Sequence, residues 1–354
     1  MTILFIGDLN EYGRCYQRYM ALKDMGHKVI GVSYMPIGYH PGITNDLVGF
    51  EIGAIKKVFN KLGYPLDSLK INEKVLGLAK YFAFDIVWIE KALMLRHRTL
   101  NKLREDKPEI KIIFCSEDDM VVRYNQSKYF LKYLSICDTV FTTKSYNCNP
   151  EELHFLGAKK VVLVDNAYCK YMHGPTELSN DDEEYFSAGV GFIGTFELDR
   201  AKKMLYLAGN GIKIRVWGNG WHKWVNKHRN LRIENKPVYG KDYVKAISAT
   251  KINLCFLRKA NRDLQTSRSI EVPACGGFML AERTNEHQKL FEEGKEAEYF
   301  DIDNPKELLE KVKYYLQDEH KRKRIAEAGR QRCISSGYSH HDRLNFMLAK
   351  IEDE

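Results

Sequence analysis

The sequence predicts an α/β protein built of two doubly wound, Rossmann-like domains, and three observations carry that reading. Short apolar runs rich in β-branched and aromatic residues alternate with helical stretches, the pattern of parallel strands joined by crossover helices. A polar run without apolar period, His173 to Glu184, interrupts the alternation midway. The 354 residues also exceed what one core usually holds, since single cores stop growing near about 250–300 residues.

In chain order, Ile3 to Gly7 reads as a buried strand, Arg14 to Met25 as a helix closed by Gly26-His27, and Lys28 to Ser33 as the next strand. Gly7 and Gly13 lack the spacing of a dinucleotide fingerprint, and no acid follows the second strand where a ribose would need one, which argues against a dehydrogenase. A helical stretch from Lys56 to Phe82 leads to the strand Asp85 to Ile89, which ends in Glu90-Lys91. A helix from about Arg96 to Arg104 gives way at Pro108 to the strand Ile110 to Cys115, which ends in Ser116-Glu117-Asp118-Asp119. In an open α/β sheet those strand ends face the ligand crevice, so Glu90, Asp118 and Asp119, with Glu117, are acceptor-site candidates. The alternative is that they cap the helices that follow.

Val140 to Thr143 and Val161 to Val164 complete the first half. Val190 to Gly194 restarts the alternation, a helix carrying Arg200 stops at Gly209-Asn210-Gly211, and Ile212 to Trp217 ends at Gly218-Asn219-Gly220. A helix from about Asp242 to Thr250 follows Tyr239-Gly240. Pro305 to Leu316, Glu319 to Cys333 and Asp342 to Lys350 read as terminal helices, the second with the basic run Lys321 to Arg324 on a solvated face.

The most informative stretch is Ile252 to Glu282. An apolar strand runs into a loop carrying Arg258, Lys259, Asn261, Arg262 and Asp263, too charged to be buried unless it meets a charged ligand. Thr266, Ser267 and Ser269 offer N-cap hydroxyls to the segment with Arg268 and Glu271, and a helix start suits an anion such as phosphate. Cys275-Gly276-Gly277 turns the chain into a second strand, Phe278 to Ala281. Such an order fits a nucleotide-sugar pocket, with arginine on the diphosphate and Glu271 accepting from ribose hydroxyls. An ordinary strand–loop–helix with a solvated loop fits it too.

Asp263, seven residues, Glu271 and then Val272 to Gly277 resemble the donor motif of GT-B glycosyltransferases of the family 4 kind, with aspartate in the first acidic position. The run Asn261 to His287 followed by Leu290 to Asp301 is more closely similar to glycosyltransferases related to the spore-maturation protein CgeB. That similarity extends from about Gly191 to Leu348 and is looser over the N-terminal half. The resemblance implies a GT-B architecture of two Rossmann-like domains facing each other across a cleft, with a C-terminal helix returning to the first domain. It implies boundaries at 1–173 for an acceptor domain, 174–187 for a linker, 188–335 for a donor domain and 336–354 for the returning helix.

The same resemblance implies a sugar nucleotide, UDP-sugar first, as donor substrate, no cofactor, and retention of anomeric configuration without a metal. It places Asp263 near the donor sugar, Gly218 and Gly220 beside the nucleotide, and Tyr239 with Gly240 at the base. Arg200 stands at the family's lysine position, while Thr195 replaces the family's arginine, so Arg258, Lys259 or Arg268 would supply the second charge to the leaving diphosphate.

A net charge of +8 and a pI of about 8.8 suit an anionic partner without choosing one. The expected partners are a nucleotide sugar and a glycan or lipid-linked acceptor, with peripheral membrane association and no nucleic acid. Cell-surface polysaccharide synthesis is the expected setting. No run approaches the roughly 20 apolar residues of a spanning helix. The eight cysteines form no C-x-x-C pair and no zinc spacing, which suggests buried thiols and the cytoplasm, at the inner face of the membrane. Two other functions stay open: an epimerase of the same fold, and a non-catalytic coat protein that binds the sugar nucleotide.

Overall fold

The computed structural model describes residues 1–39 and 54–352. Two compact units emerge, Met1–Asp165 with His340–Glu354, and Asn166–Ser339. Among the described residues each unit carries one six-stranded, wholly parallel sheet.

The first sheet contains β1 (Thr2–Gly7), β2 (Lys28–Ser33), β3 (Ile86–Glu90), β4 (Lys111–Ser116), β5 (Thr139–Thr142) and β6 (Val161–Leu163), in the order β2-β1-β3-β4-β5-β6. These strands read as unbroken apolar runs because both faces are covered. One face sends Leu4, Ile6, Val87, Ile89 and Phe114 into a core shared with Ile71, Val75 and Phe130. The opposite face sends Ile3, Phe5, Ile86 and Trp88 against Leu344, Met347 and Ile351 of the helix His340–Glu352. That helix is fastened by polar contacts as well: His341 Nε2 meets Asp24 at 2.7 Å, and Lys160 Nζ donates to the Lys350 carbonyl at 2.8 Å.

The second sheet contains β7 (Ala188–Ile193), β8 (Ile214–Trp217), β9 (Leu231–Ile233), β10 (Thr250–Cys255), β11 (Met279–Glu282) and β12 (Glu298–Phe300), in the order β12-β11-β10-β7-β8-β9. Val190, Phe192, Ile252, Leu254 and Leu280 fill one side, and Cys255, Met279 and Ala281 the other. The order reverses between β1 and β3 in the first sheet and between β7 and β10 in the second. Ligands of open parallel sheets settle outside the carboxyl ends of strands at such reversals.

The structure departs from the sequence reading at three points. The helical stretch over 56–82 is two helices, Ala54–Lys61 and Ile71–Ala79, because Gly63 turns at φ +82° and Pro65 follows. β9 and β12, of three residues each, were too short to show a period. The stretch 174–187, expected to link the domains, lies wholly within the second unit. Its polarity has a local cause: Ser179 and Asp182 form a capping box that starts the helix Asn180–Phe186. Phe186 then packs on Trp217, and Lys245 Nζ donates to Asp182 at 2.8 Å.

Candidate functional site

In the second unit, the carboxyl ends of β7 and β10 bring together most of the anticipated donor residues. Arg200 is 3% exposed; its two terminal nitrogens donate to the Thr195 carbonyl at 3.2 Å and the Leu257 carbonyl at 2.9 Å, which ties the turn after β7 to the chain after β10. Arg268 donates to the Phe256 carbonyl at 3.3 Å. Both guanidinium groups lie against the Phe192 ring, at 5.3 Å and 5.6 Å from its centroid, and each leaves a buried Nε without a hydrogen bond among the described residues. Burial, reinforced by the charge of Arg268, pulls the Arg200 pKa down to about 10. Glu197 and Glu282 only partly offset that positive field. Two crowded, poorly neutralised cations favour an anion between them.

Glu271 shares the helix Arg268–Ala274 with Arg268 and is buried at 5% exposure. Its Oε2 accepts from the Tyr243 hydroxyl at 2.6 Å, and among the described residues no hydrogen bond engages Oε1. Tyr243 therefore orients a carboxylate whose other oxygen stays unengaged among the described residues. Burial, then the Glu271 charge, holds the Tyr243 hydroxyl well above its usual pKa, so it acts as donor. Tyr243 lies 28 residues from Glu271, and nothing in a single sequence marks that pairing.

The loop residues are more exposed. Arg258 Nε donates to Glu197 at 3.0 Å, Lys259 pairs with Asp199 at 3.3 Å, and Asp263 accepts from Asn261 at 2.7 Å. Tyr239, half-buried, precedes the helix Gly240–Ser248 at its N-cap.

The expected hydroxyl caps are not made. Ser267 already has helical angles, and the helix is only seven residues long. Instead the Thr266 amide donates to Ser269 Oγ at 3.0 Å, the Ser269 hydroxyl meets His287 Nε2 at 2.7 Å, and His287 Nδ1 meets the Glu282 carbonyl at 2.6 Å. A neutral imidazole with its proton on Nδ1 satisfies every bond of this chain. Burial agrees, since it lowers the His287 pKa to about 4.

Gly218 also has a packing reason to be glycine. A Cβ there would stand 2.0 Å from the Gly194 carbonyl oxygen, and φ is +146°, so its freedom serves the approach of the turn after β8 to the turn after β7.

Glu282, unremarked in the sequence reading, closes β11. Its Oε1 accepts from the Leu257 amide at 2.8 Å while Arg200 holds the Leu257 carbonyl. Burial raises its pKa to about 7, against the Leu257 amide and Arg200, which lower it. A raised folded-state pKa means that the folded protein holds a proton the unfolded chain gives up between about pH 4.5 and 7. That contribution is complete below the lower value and is lost as pH rises through the upper one. Glu282→Gln should thus gain stability on the wild type by about 1–3 kcal/mol between pH 5 and pH 8. Denaturant melts of both proteins at the two pH values check this; a constant difference would contradict it.

In the first unit the expected acceptor-side acids have structural partners. Glu90 is 2% exposed, takes a bidentate pair of bonds from Arg18 at 2.7 Å each, and accepts from Trp88 Nε1 at 2.9 Å. Arg18 also reaches Glu117 at 2.7 Å, and Arg14 pairs with Glu117. Burial works to raise the Glu117 carboxyl, but Arg14 and Arg18 outweigh it and hold it well below the usual range. Burial and the Glu90 charge push the nearby Cys15 thiol up to about 12, which leaves it inert near neutral pH. Asp119, fully buried, accepts from the Val121 amide at 3.1 Å and Asn147 at 3.0 Å. Asp118 pairs with Lys91 and keeps a third of its side chain exposed. Among the described residues no group of three or more His, Cys, Asp or Glu is placed to hold a metal, and no helix is long and apolar enough to cross a membrane.

Two parallel six-stranded sheets of this kind are the GT-B fold of glycosyltransferases, and solved structures align with the chain over nearly its whole length. Sucrose-phosphate synthase from Thermosynechococcus elongatus is 13% identical, with a TM-score of 0.68 over 99% of this chain and 98% of that one. HepE from Anabaena, solved with UDP and glucose, is 11% identical, with a TM-score of 0.63 over 100% of both chains. An alpha-glucosyltransferase solved with UDP and a DNA 13-mer is 14% identical, with a TM-score of 0.69 over 99% of each. Residues 195–349 match the glycosyl transferase-like family, a segment that includes the edge carrying Arg200, Arg268 and Glu271. No curated protein sequence matches the chain.

Proposed function

We propose that the protein transfers a sugar from a nucleoside diphosphate sugar, UDP-sugar first, to a hydroxyl acceptor, with retention of configuration and without a metal. The observation that carries this is the pair Arg200 and Arg268 on the Phe192 ring at the β7/β10 reversal, beside a Glu271 carboxylate with one unengaged oxygen. Neighbours of the same fold solved with UDP support the choice of nucleotide. The run Asn261 to His287 followed by Leu290 to Asp301 favours placement with the CgeB-like group.

In this reading Arg268 and the loop cations Arg258 and Lys259 receive the diphosphate, Arg200 holds the turn in register, and Glu271 accepts from the ribose. Attack of the acceptor oxygen on the anomeric carbon breaks its bond to the β-phosphate oxygen. The electron pair remains on that oxygen, the developing charge is met by the arginines, and the acceptor's proton passes to the leaving phosphate. Charge neutralisation by guanidinium groups leaves no step that requires a divalent cation. Asp118, the most open acid of its cluster, is the first-unit group nearest to an acceptor role.

The test is release of UDP from a panel of UDP-sugars, with and without acceptor alcohols, in the presence of EDTA. Slow release that an acceptor accelerates and EDTA spares is expected. Conversion of the donor without any acceptor would favour an epimerase, and loss restored by magnesium would contradict metal independence.

A further inference from the structure

We infer that Glu197 is an internal counter-anion: in the free protein its carboxylate holds the place of a donor phosphate between two arginines, and the diphosphate must displace it to bind. This rests on the glycosyl-transfer reading above and adds to it a gate built into the chain. Glu197 follows β7 and stands at the N-cap position of the helix Leu198–Gly209. An acid there ordinarily caps the helix, but the Glu197 side chain makes no cap bond. It spans the β7/β10 edge instead. Its Oε1 accepts from Arg258 Nε at 3.0 Å, and its Oε2 lies 3.2 Å from a terminal nitrogen of Arg200. One oxygen on each of two guanidinium groups is the arrangement that a phosphate would take between them.

Two residues on, Asp199 faces Lys259 at 3.3 Å, so both loop cations assigned to the diphosphate already meet acids from the start of one helix. The Asp199 pair is more than half exposed on each side and is worth little. Glu197 differs, because only 21% of its side chain is exposed and its charge is weakly screened. Its departure leaves the edge intact. Arg200 holds the Thr195 and Leu257 carbonyls through bonds that do not involve Glu197, so the turn stays in register. Arg258, with 42% of its side chain exposed, has room to turn toward a ligand. A carboxylate within reach of a bound diphosphate repels it, so the donor binds against its own stand-in. Return of Glu197 to the two arginines then speeds release of UDP, a step that often limits turnover.

The experiment titrates UDP into the full chain as wild type, Glu197→Gln and Glu197→Ser, at low and high salt. Glutamine keeps the length and an acceptor oxygen, and serine suits an N-cap position, so the result does not hang on one variant folding. Both variants should bind UDP about three- to tenfold more tightly than the wild type at about 0.05 M salt, and the gain should shrink at about 0.5 M as screening weakens the repulsion. Glu319→Gln removes the same charge where it interacts with Lys251, at the amino end of β10, and should leave UDP affinity unchanged. Unchanged or weaker binding in both Glu197 variants, a gain that salt does not reduce, or an equal gain in Glu319→Gln would overturn the proposal. The two readings fail differently: a wild type that binds UDP beside variants that gain nothing sinks the counter-anion alone, whereas no UDP binding in any of these proteins sinks the donor reading.

Discussion

Glu90→Ala is expected to lower stability by about 3–5 kcal/mol and to do so without revealing a catalytic defect in the protein that remains folded. The carboxylate takes two bonds from Arg18 and one from Trp88, all out of water. Its removal strands a guanidinium whose other carboxylate partner is Glu117 and leaves the Trp88 N–H without its acceptor. Breaking one side of a buried pair costs far more than replacing both. The double substitution Arg18→Met with Glu90→Met should therefore recover most of the loss. Urea melts of the three proteins decide the matter. A Glu90→Ala variant that melts normally but loses turnover would return Glu90 to the acceptor site.

This ion pair also shows why the sequence revealed some parts of the molecule and hid others. Except for β9 and β12, the strands were legible because a doubly covered strand is a short apolar run, as in Ile3 to Gly7 or Ile252 to Cys255. The two-unit α/β class and the returning helix could be anticipated from such runs and from the family resemblance. Acids at the ends of β3 and β4 were legible as acids, but their partners were not, since Arg18 lies 72 residues from Glu90.

The same limit applied at the β7/β10 edge. Arg268 and Glu271 stand three residues apart on one helix and were found together. Tyr243, His287 and Glu282 reach that helix and its strand from elsewhere in the chain, and their roles depend on burial and long-range bonds. The polar stretch 174–187 misled for a related reason: a capping box and a surface helix have the composition of a linker until Phe186 is seen packed on Trp217.

The second large effect concerns Glu271, on which the placement of the nucleotide depends. Its Oε2 is committed to Tyr243, and glutamine can still accept that bond through its amide oxygen. In the proposed reading, the substitution removes the negative charge that strengthens bonds from ribose hydroxyls. Charge-assisted bonds exceed neutral ones, so Glu271→Gln should lose about 1–3 kcal/mol of UDP affinity, roughly 5- to 150-fold, with little change in folding. Calorimetric titration of UDP into the wild type and Glu271→Gln, with a thermal melt of each, is the most direct measurement of the central claim. The account predicts weakened UDP binding at an unchanged melting temperature. A variant that binds UDP as the wild type does but melts earlier would contradict it and remove the nucleotide from the β7/β10 edge.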